Sequence, residues 1–389
     1  MSDTSEGLTE FFQVLREEDS NLFSLEEIRD KITVLPFPSF CLEYLFGING
    51  LPFERIIQVL GQQASMKSAF CVEVIRWFAQ FGGGGVLLEH EGKFSPDFAR
   101  SIMGSYESSM AVAQCNSIED WQQRLQIYVS KIKSLPKKNA PFVFVVDSIL
   151  GKSSIETMQA IEKQGYAGRQ HPVEALKITN YLRKLASDMA GVPIVVLIVN
   201  HLKPFSTGYF TERHRAGGKH LSFCQTYELQ LDRKEDIEKS AYQGAYIKFS
   251  LYKNSLSSER DSIRVPIIWE YFTDDSGKII QQTRWLWHTA TIDLLMNYQE
   301  ELKDLDLHVS KTKKVWSSAL GIPEKEPVDM ETAGEMLIHN SDVMSELRKQ
   351  FAIITYKTYE KGFDYEEITT EGQEPVKKRK KREPRVQSD

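Results

Sequence analysis

Seven short, strongly apolar runs recur between residues 55 and 271, and helical stretches separate several of them. The runs are Arg55–Leu60, Gly85–Leu88, Phe142–Val146, Ile194–Val199, Tyr227–Leu231, Tyr246–Leu251 and Arg264–Tyr271. Several are continuously apolar rather than alternating, which is typical of strands covered on both faces and therefore of a largely parallel sheet. Ser117–Ser134 and Pro172–Ala190 fit crossover helices between such strands. The sequence predicts an α/β protein with a mostly parallel central sheet.

The flanking regions differ from this α/β region and set the predicted domain boundaries. Residues 1–35 are predicted to form two short helices, because Ser24-Leu25-Glu26-Glu27 is a capping box before an apolar helical face. Residues 36–290 contain the apolar runs and form the predicted core. Residues 291–360 are more polar and are predicted to be a small helical domain. Residues 361–389 are charged and poor in apolar side chains, a composition typical of a disordered tail.

Composition excludes several classes of protein. Hydrophobic residues make up 41% of the 389 residues and charged residues 26%, which is enough for a sizeable core and excludes wholesale disorder. No apolar run approaches the length of a membrane span, and the first residues lack the basic and apolar regions of a secretory signal. The four cysteines are scattered and form no CxxC pair, which disfavours structural zinc and favours a reducing compartment.

The net charge of −6 is unevenly distributed. Residues 377–389 contain seven basic and two acidic side chains, a net charge of +5. The other 376 residues contain 41 basic and 52 acidic side chains, a net charge of −11. A body of that sign does not indicate nucleic-acid binding by net charge, so any such surface must be local: a stripe, a pair of loops or the tail.

The strongest local signal for function begins where the first apolar run ends. The loop residues are Gly61, Gln62, Gln63, Ala64, Ser65, Met66, Lys67 and Ser68. This is close to the pattern GxxxxGK[ST] in the strand–loop–helix context that the pattern requires. Backbone N–H groups of such a loop bind phosphates at a helix N-terminus. Lys67 is then expected to contact the β- and γ-phosphates, and Ser68 to bind Mg²⁺.

Met66 departs from the pattern because it replaces the second glycine. That position favours an unhindered backbone, and a methionine has less conformational freedom there. The alternative interpretation is an ordinary turn between strand and helix that happens to contain a lysine.

Carboxylates follow two other predicted strands. Asp147 ends the run Phe142–Val146, as expected for a carboxylate that orients Mg²⁺ and its waters. Glu89 and Glu91 end another strand and fall on the same side of the chain, so one of them could activate water for attack on a γ-phosphate. The alternatives are a helix cap for Asp147 and a solvated strand end for the two glutamates.

These segments, in this order, resemble the RecA family of recombinases, and most closely its phage UvsX branch. The matching segments are Gly50-Leu51-Pro52-Phe53-Glu54-Arg55-Ile56, Glu89-His90-Glu91, Ser95-Pro96-Asp97-Phe98-Ala99-Arg100, Val146-Asp147-Ser148 and Asn200-His201. The UvsX branch also accepts a bulky residue at the position of Met66. The resemblance spans roughly residues 36–351 and implies a RecA-like P-loop ATPase core with ATP and Mg²⁺ as its cofactors.

The resemblance also implies roles for individual residues. Glu91 takes the place of the catalytic glutamate, and Phe98 that of the aromatic residue that stacks on adenine. His201 takes the place of a glutamine that senses the γ-phosphate, although a histidine that merely caps a strand end is the alternative. Lys253 matches the first of two lysines that reach a neighbouring subunit's nucleotide, and the second is Ser255 here.

In this family two loops hold single-stranded DNA. The first corresponds to residues 153–170 and includes Arg169. The second corresponds to residues 202–220, where cations interleaved with aromatic side chains suit backbone neutralisation and base stacking. Its candidate contacts are Lys203, Phe205, Tyr209, Phe210, Arg213, Arg215 and Lys219. The alternative for the second loop is a disordered surface insertion.

The resemblance implies an ATP-dependent strand-exchange recombinase, a DNA-dependent ATPase that forms helical homo-oligomers on single-stranded DNA and pairs it with homologous duplex DNA. The alternative is a non-catalytic RecA-like DNA-coating or mediator protein with little ATP turnover. No membrane association is expected, and the location implied is the cytoplasm of a phage-infected bacterial cell. The basic tail fits extra DNA affinity, a nuclear address or solvated disorder equally well.

Overall fold

The computed structural model describes most of the chain and divides it into two compact units. The described residues are 14–15, 32–134, 140–149, 153–164, 171–206, 211–215, 224–239, 242–257, 260–273, 277, 279–361, 365–368 and 376–379. The first unit contains the described residues up to Pro38 together with Leu45–Trp285. The second contains Ser39–Tyr44 and the described residues from Leu286 onwards.

Strands and helices alternate over much of residues 55–206 of the first unit, and strands predominate between residues 211 and 285. The strands are β1 (Val34–Pro36), β2 (Gly50–Pro52), β3 (Arg55–Gly61), β4 (Gly84–Glu89), β5 (Met110–Gln114), β6 (Phe142–Asp147), β7 (Ile194–Ser206), β8 (Thr211–Arg215), β9 (Tyr227–Glu238), β10 (Gln243–Asn254), β11 (Ile263–Thr273), β12 (Ile279–Trp285), β13 (Leu307–Val309), β14 (Lys314–Ser317), β15 (Val328–Asp329), β16 (Tyr365–Ile368) and β17 (Val376–Arg379). The helices are α1 (Phe40–Phe46), α2 (Lys67–Gln80), α3 (Pro96–Met103), α4 (Ile118–Lys133), α5 (Ile155–Gln164), α6 (His171–Asp188), α7 (Trp287–Met296), α8 (Met330–His339) and α9 (Ser341–Lys361).

A ten-stranded sheet forms the centre of the first unit. Its order is β12-β11-β10-β9-β3-β7-β6-β4-β5, and β8 pairs only with β7. The strands from β9 to β5 in this order are parallel, whereas β9 to β12 form an antiparallel meander. All seven apolar runs lie within strands of this sheet. The predicted α/β fold with a mostly parallel sheet is confirmed.

The apolar pattern did not predict β5 and β12, which form the two edges of the sheet. An edge strand has one unpaired side and needs less apolar coverage than a central strand. The side chains of β5 are half-buried or exposed, and polar residues make up the middle of β12. Neither strand therefore carries the continuous apolar run that marks β3, β6 and β7.

Helices cover both faces of the parallel strands, which explains why those strands are apolar throughout. On one face, α4 and α6 present apolar residues at helical spacing to the sheet. The buried helix residues include Trp121, Leu125, Val129, Ile178, Leu182 and Leu185. On the other face, Phe70 of α2 packs edge-on against Phe249 of β10, with ring centroids 5.3 Å apart. This helix begins directly after the loop of residues 62–66, so its packing fixes that loop to the sheet.

The second unit combines helices with a three-stranded antiparallel sheet of β13, β14 and β15. Within it, Phe351 of α9 packs against Phe40 and Tyr44, and Arg348 forms two hydrogen bonds of 2.8 Å with the buried Glu43. The sequence pattern predicts only helices in residues 291–360. Strands of two to four residues are too short to show an alternating pattern, so β13, β14 and β15 could not be predicted from it.

Two predicted segments fall largely outside the described residues: the N-terminal segment with the capping box at residues 24–27, and the tail of residues 361–389. In the tail, β16 and β17 pair in antiparallel register, which places Glu366 opposite Lys378 and Glu367 opposite Lys377. Within the part of the chain that the structure describes, no helix is both long enough and apolar enough to cross a membrane.

Candidate active site

The candidate site lies at the carboxyl edge of the parallel strands of the first unit. The strand register places Gly61 beside His201 and Glu89 beside Asp147. A pocket with a cavity volume of about 290 Å³ opens at this edge. Its lining is Gln63, Ala64, Ser65, Met66, Lys67, Ser68, Ala69, Val72, Leu87, Glu89, Glu91, Lys93, Phe94, Ser95, Phe98, Ala99, Asp147 and His201. Ligand sites in open α/β sheets lie at this edge, because loops of several strands meet there.

The loop between β3 and α2 has the backbone that the sequence pattern requires. A Cβ at Gly61 would lie 2.5 Å from the carbonyl oxygen of Leu231 and would also collide with the Ser65 hydroxyl, so a glycine is needed there. Met66, the N-cap residue of α2, has φ 64° and ψ 24°, which is the left-handed region. The methionine thus adopts the conformation that the missing glycine would take, and Ala64 has φ 61° as well.

Lys67 is the first residue of α2, and its side chain turns back over the loop. Its Nζ atom donates hydrogen bonds to the carbonyl oxygens of Gly61 at 3.1 Å and Gln62 at 2.6 Å, and to Ser65 Oγ at 3.3 Å. Burial lowers the pKa of Lys67, and the negative charge of Asp147 opposes this change. The loop therefore holds a buried ammonium group beside its own backbone, where a phosphate would meet both.

Ser68 and Asp147 join the loop to the end of β6. Ser68 Oγ donates a hydrogen bond of 2.5 Å to Asp147 Oδ2. Burial raises the pKa of Asp147, the hydrogen bond from Ser68 opposes this, and the charge of Glu91 adds to it. A hydroxyl and a carboxylate oxygen at this distance are oxygen ligands of the kind that Mg²⁺ binds together with phosphates and water.

Glu91 follows β4 and is held by three side chains. Its Oε1 atom accepts hydrogen bonds from Ser148 Oγ at 2.8 Å and His201 Nε2 at 3.2 Å, and its Oε2 atom accepts one from Lys93 Nζ at 3.0 Å. Burial by itself would raise the pKa of Glu91, but these three donors outweigh it and lower the pKa to about 2. Glu91 is therefore ionised, and His201 carries its proton on Nε2 in order to donate.

Glu89 has a different environment, although it lines the same pocket. It is buried, and its Oε1 atom accepts a hydrogen bond of 3.1 Å from the backbone N–H of Lys93. The backbone N–H of His90, between the two glutamates, donates to the carbonyl oxygen of Asp147 at 3.0 Å. Glu89 thus closes the turn that positions Glu91, whereas Glu91 faces the groups of β6 and β7.

Two phenylalanines form the apolar part of the pocket wall. Phe98 lies in the first turn of α3, and Phe94 precedes that helix. The helix begins at Ser95, whose hydroxyl accepts a hydrogen bond from the Phe98 backbone N–H at 3.3 Å. A planar apolar group such as a nucleobase can stack on either ring.

The structure brings most of the predicted site residues together and leaves others apart. Gln63 to Ser68, Glu91, Phe98, Asp147 and His201 share the pocket, and Lys67 contacts Gly61 and Gln62. Lys253 is not among the described residues that line it. Its Nζ atom donates to the carbonyl oxygen of Gln225 at 2.5 Å, within the first unit.

The predicted DNA contacts are only partly described. Lys203 and Phe205 lie in β7 and Arg213 and Arg215 in β8, and the two strands form an antiparallel hairpin in which Leu202 is opposite Arg215. The second loop is therefore strand-like at both ends rather than without periodicity. Arg169, Tyr209, Phe210 and Lys219 lie outside the described residues. β7 carries His201 of the pocket and Lys203 of the hairpin, so one strand connects the two regions.

Several contributors to the pocket were not predicted from the sequence, among them Lys93, Phe94 and Ser148. Lys93 and Ser148 donate hydrogen bonds to Glu91, and Phe94 lines the pocket beside Phe98. The spacing of four residues between the two phenylalanines is the one signal that could have indicated Phe94. The described residues contain no group of three or more His, Cys, Asp or Glu side chains arranged to hold a metal ion. Any metal at Ser68 and Asp147 would need further ligands from phosphates and water.

Comparison with known proteins gives one consistent result. A family model described as the RecA N-terminal domain matches residues 18–272. Protein RecA of Lactobacillus acidophilus is 24% identical over 321 residues, which cover 79% of this chain and 85% of the relative. Protein RecA of Saccharopolyspora erythraea is 26% identical over 258 residues, 66% of this chain and 71% of the relative. Protein RecA of Ureaplasma parvum is 24% identical over 264 residues, 67% of this chain and 75% of the relative.

Proposed function

Because the chain belongs to the RecA family, we propose that it is an ATP-dependent DNA strand-exchange recombinase that forms filaments on single-stranded DNA. Membership of the family supports a role in DNA recombination and repair. The finer statement is supported by the pocket, which combines a phosphate loop with an ionised glutamate and a hydroxyl–carboxylate pair.

The single observation that carries the proposal is the set of contacts around Glu91. This carboxylate lies in the pocket with Lys67 and Ser68. It also contacts His201, which belongs to β7, the strand that leads into the β7–β8 hairpin. The group that we propose to activate water and the group that we propose to sense phosphate are thus adjacent in one pocket. Such an arrangement suits ATP hydrolysis that is coupled to DNA binding.

In the proposed mechanism, the loop N–H groups and Lys67 hold the β- and γ-phosphates, and Lys67 gives up its bonds to the loop carbonyls to do so. Ser68 and Asp147 would hold Mg²⁺, which neutralises charge on the phosphates when bound. Glu91 accepts a proton from the attacking water as the oxygen of that water bonds to the γ-phosphorus. The bond from that phosphorus to the bridging oxygen breaks with its electron pair going to ADP, which leaves ADP and inorganic phosphate.

The coupling to DNA runs through β7. When a terminal phosphate occupies the pocket, His201 Nε2 can donate to it instead of to Glu91. The main chain that follows His201 is the arm of the β7–β8 hairpin, which contains Lys203 and Phe205 on one strand and Arg213 on the other. We infer that this hairpin binds single-stranded DNA by phosphate neutralisation and base stacking.

The remaining parts of the proposal concern assembly and origin. Lys253 would reach the nucleotide of a neighbouring protomer in a helical homo-oligomer, and homologous duplex DNA would be the second DNA partner. Met66 in the phosphate loop supports the phage UvsX branch, and with it the cytoplasm of a phage-infected bacterial cell as the site of action. A nucleus-like compartment would fit the basic tail.

The test is phosphate release by the full chain with and without single-stranded DNA, followed by strand exchange between single-stranded and homologous duplex DNA. The proposal expects DNA-stimulated release and ATP-dependent exchange. Glu91→Gln should lose the release and keep nucleotide binding. DNA binding without any phosphate release would instead indicate a non-catalytic DNA-coating or mediator protein.

A further inference from the structure

Lys93 occupies an unusual position in the pocket wall. It follows Glu91 by two residues, its backbone N–H bonds to Glu89, and its Nζ atom donates to Glu91 Oε2 at 3.0 Å. Its side chain is 74% exposed, whereas the side chain of Glu91 is 25% exposed. The backbone of Lys93 is therefore fixed by a hydrogen bond while its ammonium group is free to exchange partners in solvent.

The charges around the pocket indicate a role for this lysine in binding an anion. Among the described residues that line it, the carboxylates are Glu89, Glu91 and Asp147, and the lysines are Lys67 and Lys93. The pocket is thus net negative, although the ligand proposed for it is a phosphate anion. Lys67 is bonded to the loop at the start of α2. Lys93 is the other cation in the described wall, and it lies on the side of Glu91.

We propose that Lys93 is a second phosphate-contacting cation, whose ammonium group moves from Glu91 to the terminal phosphate of a bound nucleoside triphosphate. The proposal rests on the proposed ATP hydrolysis at this site. In moving, Lys93 neutralises charge on the phosphate and removes one of three donors from Glu91. Glu91 then becomes a stronger base at the moment when the attacking water needs one.

The transfer of Lys93 from Glu91 to phosphate also explains how Glu91 can be held by donors before the triphosphate binds and act as a base when the triphosphate is bound. A glutamate held by three donors is a poor proton acceptor because each donor stabilises its ionised form. His201 and Lys93 can both donate to a terminal phosphate oxygen, whereas Ser148 belongs to the end of β6 and stays beside Glu91. Only a ligand with a γ-phosphate would draw both donors away, so ADP, which lacks that group, should leave Glu91 held.

The first test measures binding, which does not require turnover. Fluorescent ADP and a fluorescent, non-hydrolysable ATP analogue would be titrated into the full chain, into Lys93→Met and into Lys93→Arg. Loss of one charge-assisted hydrogen bond should weaken analogue binding by about tenfold in Lys93→Met and leave ADP binding within about twofold. Lys93→Arg should restore most of the preference for the triphosphate. Lys184→Met is the matched control, because Lys184 is an exposed lysine paired with Asp188 at 2.8 Å on α6, outside the pocket.

The second test separates phosphate contact from simple support of Glu91. In the Glu91→Gln background, Lys93→Met should still weaken binding of the analogue by about tenfold, since the contact is with phosphate. For hydrolysis, the acid limb of kcat/KM against pH should lie at higher pH in Lys93→Met than in the unmodified chain. This follows because removal of a donor raises the pKa of Glu91, and a base works only above its pKa.

An unchanged preference for triphosphate over diphosphate in Lys93→Met would overturn the proposal, and so would a binding loss that vanishes in the Glu91→Gln background. If Lys93→Met does not fold, amine labelling of the unmodified chain replaces it: the triphosphate analogue should protect Lys93 several-fold more than ADP does, and equal protection would overturn the proposal. A chain that binds the analogue through Lys93 without hydrolysing ATP would refute the proposed turnover and leave the Lys93 contact intact.

Discussion

His201 Nε2 lies 3.2 Å from Glu91 Oε1, and this contact joins β7 to the turn after β4 across the end of β6. Ser148, at the end of β6, bonds to the same Glu91 oxygen atom. Three parallel strands therefore meet at one carboxylate oxygen. A ligand that draws His201 away from this oxygen would also change what holds the start of the β7–β8 hairpin.

The roles of Lys67 and Glu91 predict opposite effects of two substitutions. Lys67→Ala should abolish measurable ATP binding, because it removes a buried cation from the phosphate loop. Glu91→Gln should keep ATP binding and slow hydrolysis by about a hundredfold or more, since only the base is lost. Equilibrium nucleotide binding and phosphate release measure the two effects. Normal hydrolysis by Glu91→Gln together with its loss in Glu89→Gln would move the catalytic role to Glu89.

The low pKa of Glu91 predicts a pH-dependent contribution to stability. Its pKa falls from 4.5 to about 2 on folding. A carboxyl group whose folded pKa is depressed stabilises the fold fully above its unfolded pKa, and the contribution disappears as pH falls through the folded value. The effect should stay below the roughly 3 kcal/mol that about 1.4 kcal/mol per pH unit would give, because solvent screens this partly exposed carboxylate. Urea unfolding should therefore find Glu91→Gln less stable than the unmodified chain at pH 6, and the difference should shrink towards pH 3. A constant difference over this range would contradict the assigned contacts.

Met66 predicts a stabilising substitution in the phosphate loop. A left-handed conformation costs a non-glycine residue about 1–2 kcal/mol, and glycine avoids this cost while losing more chain entropy on folding. Met66→Gly should therefore raise the free energy of unfolding by about 0.5–1 kcal/mol. Met66→Ala is the matched control, because it removes the side chain and keeps the backbone penalty. Equal stabilities of the two variants in urea unfolding would show that the φ of 64° is not the source of the effect.

Much of the fold could be predicted because burial leaves a strong imprint on composition. The continuous apolar run of β6 is covered on both faces, and its terminal Asp147 lies at the expected edge. The strand–loop–helix turn at residues 61–68 could be predicted because Gly61, Lys67 and Ser68 stand at fixed spacing. These features are local in sequence, so a pattern of residues is enough to place them.

The partners of Glu91 could not be predicted in the same way. Ser148 and His201 lie 57 and 110 residues away in the chain, and only the strand order brings them to Glu91. Lys93 is close in sequence, but an exposed lysine after a glycine carries no pattern that distinguishes it from a solvated side chain. The conformation of Met66 also depends on how α2 packs against the sheet. Contacts of this kind follow from topology and packing, which residue spacing does not encode.

The β7–β8 hairpin predicts two separable effects on DNA binding. Replacing Phe205, Tyr209 and Phe210 by Ala should weaken binding to single-stranded DNA by about 1–3 kcal/mol per stacked base and leave its salt dependence unchanged. Replacing Lys203, Arg213 and Arg215 should instead flatten the salt dependence. With fewer phosphate contacts, binding releases fewer counterions from the DNA. Titrations at several salt concentrations distinguish the two sets. Undiminished binding by a folded variant that lacks the loop would refute the assignment.

The basic tail predicts a DNA effect without a folding effect. Removing residues 377–389 takes away seven basic side chains and almost no apolar ones, so the stability of the rest should stay within about 0.5 kcal/mol. The backbone register of β16 and β17 places Lys377 opposite Glu367 and Lys378 opposite Glu366. We expect the truncated chain to bind single-stranded DNA more weakly at low salt. For each phosphate contact that is lost, binding should release on the order of one counterion fewer. The loss should fade at physiological ionic strength, where exposed charges are screened over roughly 8 Å.

Full-length and truncated chains are compared at two salt concentrations, with ATP binding in the absence of DNA as the control. Identical affinities at low salt would remove the DNA role and leave an addressing or partner-binding role for the tail.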